Sequence, residues 1–424
     1  MRKTRIFSLI IVTMMILGTM TTTVFAQNDV AEVGGTTYAS IYDALAVGGE
    51  ITLLKDVTAS SVITVSKDTV LDLNGFTVTG SAKKTFEVYA NATFKNGTIK
   101  NVYTSKEGRC IDTRTGGIRL DLEDVELIAK TNYNQQVLNI GGDATDTGNI
   151  TVNISNSTIT ASNSGYGIMT FNPVVMTITN TEISGYAALY FKAASGSMGS
   201  NGSVVNVVNS DLNSSYRDYE NFGTIVFEDT NIDVTVDADS SITTEGNAVL
   251  FSNFEGAVSI EDNNIALNGA VTADKVVDGW KEGTTVSSTN SNVIDALKNE
   301  GFAVSDGVVE GKIATATDSG FYMMGENKLG LMRYLFSFGI EGTITNAGVK
   351  FINGDKLADN IAGEVSGNAN TFFADIVEVP ENTEGKYYAV GFVTIGEKTY
   401  WSNPIFCEPD FTRHFSSLDN GGAK

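Results

Sequence analysis

The sequence predicts an all-β chain: a parallel β-solenoid capped by a short helix and followed by a small antiparallel β-sandwich. Three observations predict it. Between Gln27 and about residue 270 the chain alternates apolar and polar residues in short runs, such as VITVS, RLDLEDVELIA and ITVNISNSTIT, without long helical periodicity. A polar corner recurs through the same region: Asn96, Asp124, Asn156, Asn180, Asn209, Asp229 and Asp262 each follow an apolar residue by two positions and precede another by three. Beyond about Ile313 the strands lengthen and gain aromatics, as in KLGLMRYLFSF and KYYAVGFVTIGEKTYWSNPIF.

From the N-terminus, Arg2, Lys3 and Arg5 precede the apolar run from Ile6 to Met20, and Val24 and Ala26 have the spacing of a cleavage site. Residues 1–26 are therefore expected to be a secretory signal that takes no part in the fold. Ser40 with Asp43 reads as a capping box, Ile41, Ala44 and Leu45 share one helical face, and Gly48-Gly49 ends the helix. Such a helix covers the open strand edges of a first rung.

Residues 27–270 form the solenoid. Its corners are spaced irregularly at 20 to 33 residues, with Asn74 one position out of register. Parallel coils explain the repetition, because each inward residue then stacks on its equivalent in the next coil. Asn or Asp tolerates the tight turn and can form a hydrogen-bonded ladder, while insertions fall in outward loops at little entropic cost. Residues 271–312 are expected to be a distal cap or connector, with Val293, Ile294 and Leu297 on a short helix stopped by Gly301. Residues 313–410 are the sandwich, with a hairpin at Gly396-Glu397, and residues 411–424 a polar tail.

The stretch YASIYDALAVGGEITLLKDVTASSVITVSKDTVLDLNGFTVTG resembles the opening of secreted bacterial members of the pectate-lyase-like superfamily, the right-handed parallel β-helix proteins. The resemblance covers about Val33 to Gly269. The later strands look similar to small Ig-like or fibronectin-like modules of bacterial surface proteins. For the β-helix, the resemblance implies two kinds of enzyme site: an Arg or Lys base near calcium-holding carboxylates in lyases, or clustered Asp residues in glycosidases.

The bulk numbers narrow the function. The chain has 28 basic and 50 acidic residues, a net charge of −22, which disfavours nucleic acid and anionic lipid as partners. No segment after the leader is apolar enough to span a bilayer. His414, in the tail, is the one histidine, which weighs against Ser-His-Asp, Cys-His and zinc sites. Cys110 and Cys407 are either two buried thiols or one long-range bridge.

Three groups of residues are candidates for a site. EGRCIDTRTGGIRLDLEDVE places Asp112 and Arg114 with Cys110 on one strand face, and Arg119, Asp121 and Glu123 on one side of the next strand. If those rungs stack, Asp112, Arg114, Arg119 and Asp121 converge as a catalytic group, and otherwise they form a salt-bridge ladder. Tyr166, Tyr186 and Tyr216 follow three consecutive corners, with Tyr190 and Tyr219 close behind. Facing outward, they would form a flat strip for sugar rings; facing inward, an aromatic ladder in the core. Calcium is the one cofactor suggested. It would be held by Asp143 and Asp146 in a Gly-rich loop or by Asp233, Asp237 and Asp239, although neither stretch matches a calcium repeat.

The expectation is an exported, secreted or cell-surface interaction protein that binds extracellular polysaccharide or matrix. The alternatives are a calcium-dependent polysaccharide lyase or glycosidase, and a structural spacer presenting the C-terminal module.

Overall fold

Ile150, Val152 and Ile154 point inward from one strand and lie in parallel register over Val174, Met176 and Ile178 of the next rung. Leu120 and Leu122 lie beside Val152 and Ile154 on the other side. This stacking of like beneath like, repeated rung after rung, builds the continuous core. The computed structural model describes residues 28–129, 135–141, 148–162, 164–193, 199–215, 222–252, 260–281, 283–324, 329–340, 344–353, 356–357, 371–379, 384–402, 405–408 and 411.

The parallel β-helix has three columns of strands. The first runs from Gly49–Leu53 to Thr285–Ser287 and the second, beside it, from Val57–Ala59 to Ala270–Thr272. Together they make one bent sheet, its halves continuous within Ala92–Asn101 and Arg119–Ala129. The third column is a separate nine-stranded parallel sheet from Ile63–Val65 to Lys275–Asp278.

The bend between the first two columns is where the recurring corner sits. Asn74, Asn96, Asp124, Asn156, Asn180 and Asn209 all have φ between 44° and 57°, left-handed backbone that Asn and Asp tolerate better than other side chains. The expected amide ladder forms in the middle of the stack. Asn180 Nδ2 donates to Asn156 Oδ1 at 3.1 Å, and Asn209 Nδ2 to Asn180 Oδ1 at 2.6 Å.

Two expected corners lie elsewhere. Asp262 (φ 59°) stacks with Asn231 (φ 57°) at a different bend, between the third and first columns. Asp229 is not left-handed; it is buried, and its carboxylate accepts the N–H groups of Ser200, Asn201 and Thr230. After Asn209 the bend is made instead by the turn Asp237–Ser240, so the sequence pattern changes column without changing spacing.

Both ends are closed. Ser40 Oγ accepts the N–H of Tyr42 to start helix Ile41–Val47, which buries Ile41, Ala44 and Leu45. At the far end helix Ser291–Asn299 buries Val293 and Leu297. The Glu300 carboxylate behind it accepts the N–H groups of Val276 and Val277 on the last strand of the third column. Val308–Met324 then leads into an antiparallel sheet with Leu329–Ile340 and Thr371–Val379. A second antiparallel sheet faces it, made of Ile344–Asn353, Lys356–Leu357, Tyr387–Ile395, Lys398–Trp401 and Ile405–Cys407. Met332, Tyr334, Phe336 and Phe338 pack between the sheets against Ala389, Val393 and Cys407, a sandwich-like core. The hairpin turns at Gly396 (φ 61°), as expected. Cys110 and Cys407 are free thiols buried in separate cores.

Candidate functional site

The outer face of the nine-stranded sheet brings charged, amide and aromatic side chains of successive rungs together. Its inward row, Phe86, Ile111, Leu138, Ile168, Leu189, Ile225 and Val249, is core. One residue further along each strand lies an outward row: Glu87, Asp112, Asn139, Met169, Tyr190, Val226, Leu250 and Asp278. Towards the strand starts, Arg109 lies beside Lys84, and Gln136 lies beside Tyr166, which in turn meets Ala187. The face therefore runs from charged, through amide, to aromatic and apolar.

Asp112 anchors the charged end. Its carboxylate has no solvent exposure, a costly position unless cations and donors surround it. Arg109 Nη1 donates to Oδ1 at 2.9 Å and Asn139 Nδ2 donates to the same oxygen at 2.5 Å. Lys84 Nζ lies 2.7 Å from Oδ2 as an ion pair off the hydrogen-bond direction, and Arg114 Nη1 lies at 3.8 Å. Lys84 also binds Glu87. A carboxylate ringed by Lys84, Arg109 and Arg114 serves as a structural hub, which is the ladder alternative for this part of the expected catalytic group.

The four expected catalytic residues do not converge. Asp112 and Arg114 lie at the nine-stranded sheet, whereas Arg119 and Asp121 lie on Arg119–Ala129 of the bent sheet. Arg119 Nε pairs with Asp121 Oδ2 at 2.8 Å, and Asn153 Nδ2 donates to the other Asp121 oxygen at 2.7 Å. With Glu50, Asp68 and Asn91 they line an open groove of about 430 Å³.

Besides Asp112 Oδ2, three polar atoms of this face are buried without a hydrogen-bond partner: Arg109 Nε, Gln136 Oε1 and Asn139 Oδ1. Tyr166 begins the aromatic stretch on the next rung. Its ring meets Tyr186 at 5.8 Å and Tyr190 at 5.0 Å, edge to face in both cases, and Tyr186 leans on Phe222 at 5.6 Å. Ala187, Val226 and Leu250 form a small apolar cluster beneath them, separate from the main core. The Tyr190 hydroxyl donates to Glu228 Oε1, and Lys192 Nζ binds Glu228 Oε2 at 2.5 Å. Burial, then the Glu228 charge, pushes the Tyr190 phenol well above its ordinary range, so it acts as a donor and not as a base.

Three expected tyrosines thus meet on one face, half-buried, with rings crossed instead of coplanar. Tyr216 and Tyr219 lie outside the described residues, as do Asp143 and Asp146. Asp233 accepts from Asn264 Nδ2, and Asp237 from Asn209 N and Ser240 Oγ, so both serve contacts between or within rungs. Among the described residues no three His, Cys, Asp or Glu side chains come together as a metal site, and no helix is long and apolar enough to cross a membrane.

Lys84, Arg109, Gln136, Asn139, Lys192 and Glu228 were not among the expected site residues. Their common face depends on the register of rungs separated by loops of unequal length, which alternation within one strand does not encode. Comparison with protein-family models, with curated proteins and with solved structures finds no match to this chain.

Proposed function

We propose that this chain is an exported, glycan- or matrix-binding interaction protein that works from the outer face of its nine-stranded sheet, on a scaffold of the pectate-lyase-like kind. One observation carries the reading: a buried unpartnered donor, Arg109 Nε, and two buried unpartnered acceptors, Gln136 Oε1 and Asn139 Oδ1, lie on two adjacent rungs, and Gln136 is in register with half-buried Tyr166 on the next. Buried polar atoms without partners are rare and costly, so they mark a place where a partner adds much. A sugar supplies hydroxyls that both donate and accept, together with a C–H face that packs on an aromatic ring.

A glycan array probed with the chain lacking residues 1–26 tests this reading. For at least one glycan on the array, binding should fall at least about tenfold, the equivalent of 1.4 kcal/mol, in Gln136→Leu/Tyr166→Ala. An array with no signal, or one on which no glycan responds to the double change, removes the proposal.

A further inference from the structure

The outer face of the C-terminal sheet carries a second surface. Along Tyr387–Ile395, Ala389, Gly391 and Val393 turn inward, so Tyr388, Val390 and Phe392 turn outward. Two neighbouring strands complete aromatic pairs: Phe406 opposite Tyr388 with ring centroids 5.6 Å apart, and Trp401 opposite Phe392 at 5.0 Å. Gly348 on the third strand makes room for this arrangement, since a Cβ there would stand 2.7 Å from the Phe392 ring. Tyr388, Trp401 and Phe406 remain 37%, 40% and 44% exposed, and Lys386 Nζ rests 4.2 Å from the centre of the Phe406 ring.

We propose that this face is a binding platform for a neutral polysaccharide chain, independent of the solenoid site. Two arguments select that occupant. The first is area: three aromatic side chains of 150–250 Å² each, exposed by about two-fifths, leave roughly 200–300 Å² of ring open. A stable protein partner needs about 800 Å² on each side, whereas a few sugar units need far less. The second is charge. A chain of net charge −22 repels a polyanion, while the electron-rich ring faces attract the polarised C–H groups of an uncharged sugar. Lys386 adds a hydrogen-bond donor at one end for a ring hydroxyl or ether oxygen.

The full chain contains its own reporter. It has two tryptophans, and Trp280 sits at the solenoid end with its Nε1–H bonded to the Thr284 carbonyl, leaving Trp401 as the one on the platform. Titration with cellohexaose, xylohexaose, laminarihexaose and mannohexaose should give a saturable change in tryptophan emission with at least one of them, retained in Trp280→Phe. Retention on the matching insoluble polysaccharide should fall at least about tenfold in Trp401→Leu/Phe406→Leu, which keeps apolar packing on Phe392 and Tyr388 but removes both ring faces. It should be unaffected by the solenoid double variant Gln136→Leu/Tyr166→Ala. Three results would overturn the proposal: no emission change with any neutral oligosaccharide, retention undiminished in the leucine variant, or retention lost in the solenoid variant instead. The leucine and solenoid variants therefore separate failure of this platform from failure of the solenoid site.

Discussion

The hydroxyl of Ser210 accepts the backbone N–H of Thr181 from the preceding rung at 3.0 Å, while donating to the carbonyl of Val208 two residues behind it. The same contact recurs along the stack: Ser157 accepts from Val125, Thr181 from Ser157, and Ser240 from Ser210. All four hydroxyl residues are buried. This gives the Ser or Thr after left-handed Asn156, Asn180 and Asn209 a physical role. The corner swings one backbone N–H away from the sheet ladder, and the hydroxyl of the next rung supplies its acceptor.

Replacing Ser210 with Ala should therefore orphan a buried N–H and cost about 1–3 kcal/mol in urea unfolding. The exposed control Thr243→Ala, on an outer strand face, should stay within about 0.5 kcal/mol of the parent. Equal midpoints for the two variants would show that the hydroxyl stack is incidental.

Periodicity made the solenoid legible because one corner chemistry served five consecutive bends, Asn96 to Asn209. It misled at Asp229 and Asp262, where the same letters occupy a buried acceptor and a different bend. The tyrosine gathering was half legible: strand position was readable, but crossed rings depend on Phe222 and the apolar cluster beneath, set by rung register. The aromatic platform was available in YYAVGF, where period two separates Tyr388 and Phe392 from Ala389 and Val393. Its partners Trp401 and Phe406 required the strand pairing.

Asp112 should behave as a structural hub. Asp112→Ala leaves Lys84 and Arg109 without their buried counter-charge and should cost about 3–5 kcal/mol. Combining it with Lys84→Met should recover part of that loss, a coupling of about 0.5–3 kcal/mol in a double-mutant cycle followed by urea unfolding. Strict additivity would contradict the hub.

The same geometry sets an expectation for the lyase alternative. With Asp112 held by Arg109, Asn139 and Lys84 and Arg119 paired to Asp121 on another sheet, uronic-acid polymers incubated with the protein and calcium should yield no unsaturated-product absorbance. Absorbance that grows with time and disappears in Arg114→Ala would instead make that face an active site.

The two thiols should be silent in the folded chain. Burial pushes the Cys110 thiol up to about 12 and the Cys407 thiol up to about 11, and Cys110 Sγ also contacts the carbonyls of Ile99 and Ile128. Thiolate is the reactive form, so a thiol reagent at neutral pH should modify neither residue until denaturant is added, and then both. Fast modification of either one in native buffer would place it in an accessible site.

Two sets of carboxylates should bend the pH dependence of stability in opposite directions. Burial raises Glu300 and Asp229 above the usual carboxylate range, against the hydrogen bonds that hold them. The folded state therefore binds these protons more tightly than the unfolded one. Their stabilising contribution is complete below the unfolded pKa and is lost as pH rises through the folded value. Glu310 runs the other way: hydrogen bonds from Lys398 and Tyr400 lower it, so its contribution is present above the unfolded pKa and lost as pH falls through the folded one. Urea unfolding of the parent and of Glu300→Gln between about pH 4 and 7 isolates the first effect, since ordinary carboxylates titrate near the bottom of that window. The stability of the parent relative to Glu300→Gln should grow as pH is lowered, because protonated Glu300 no longer bears the cost of a buried charge beside Val276 and Val277. The Glu310→Gln comparison should show the reverse slope at the acid end. A pH-independent gap for Glu300→Gln would mean that its carboxylate is solvated, and that the distal end of the solenoid is closed by other contacts.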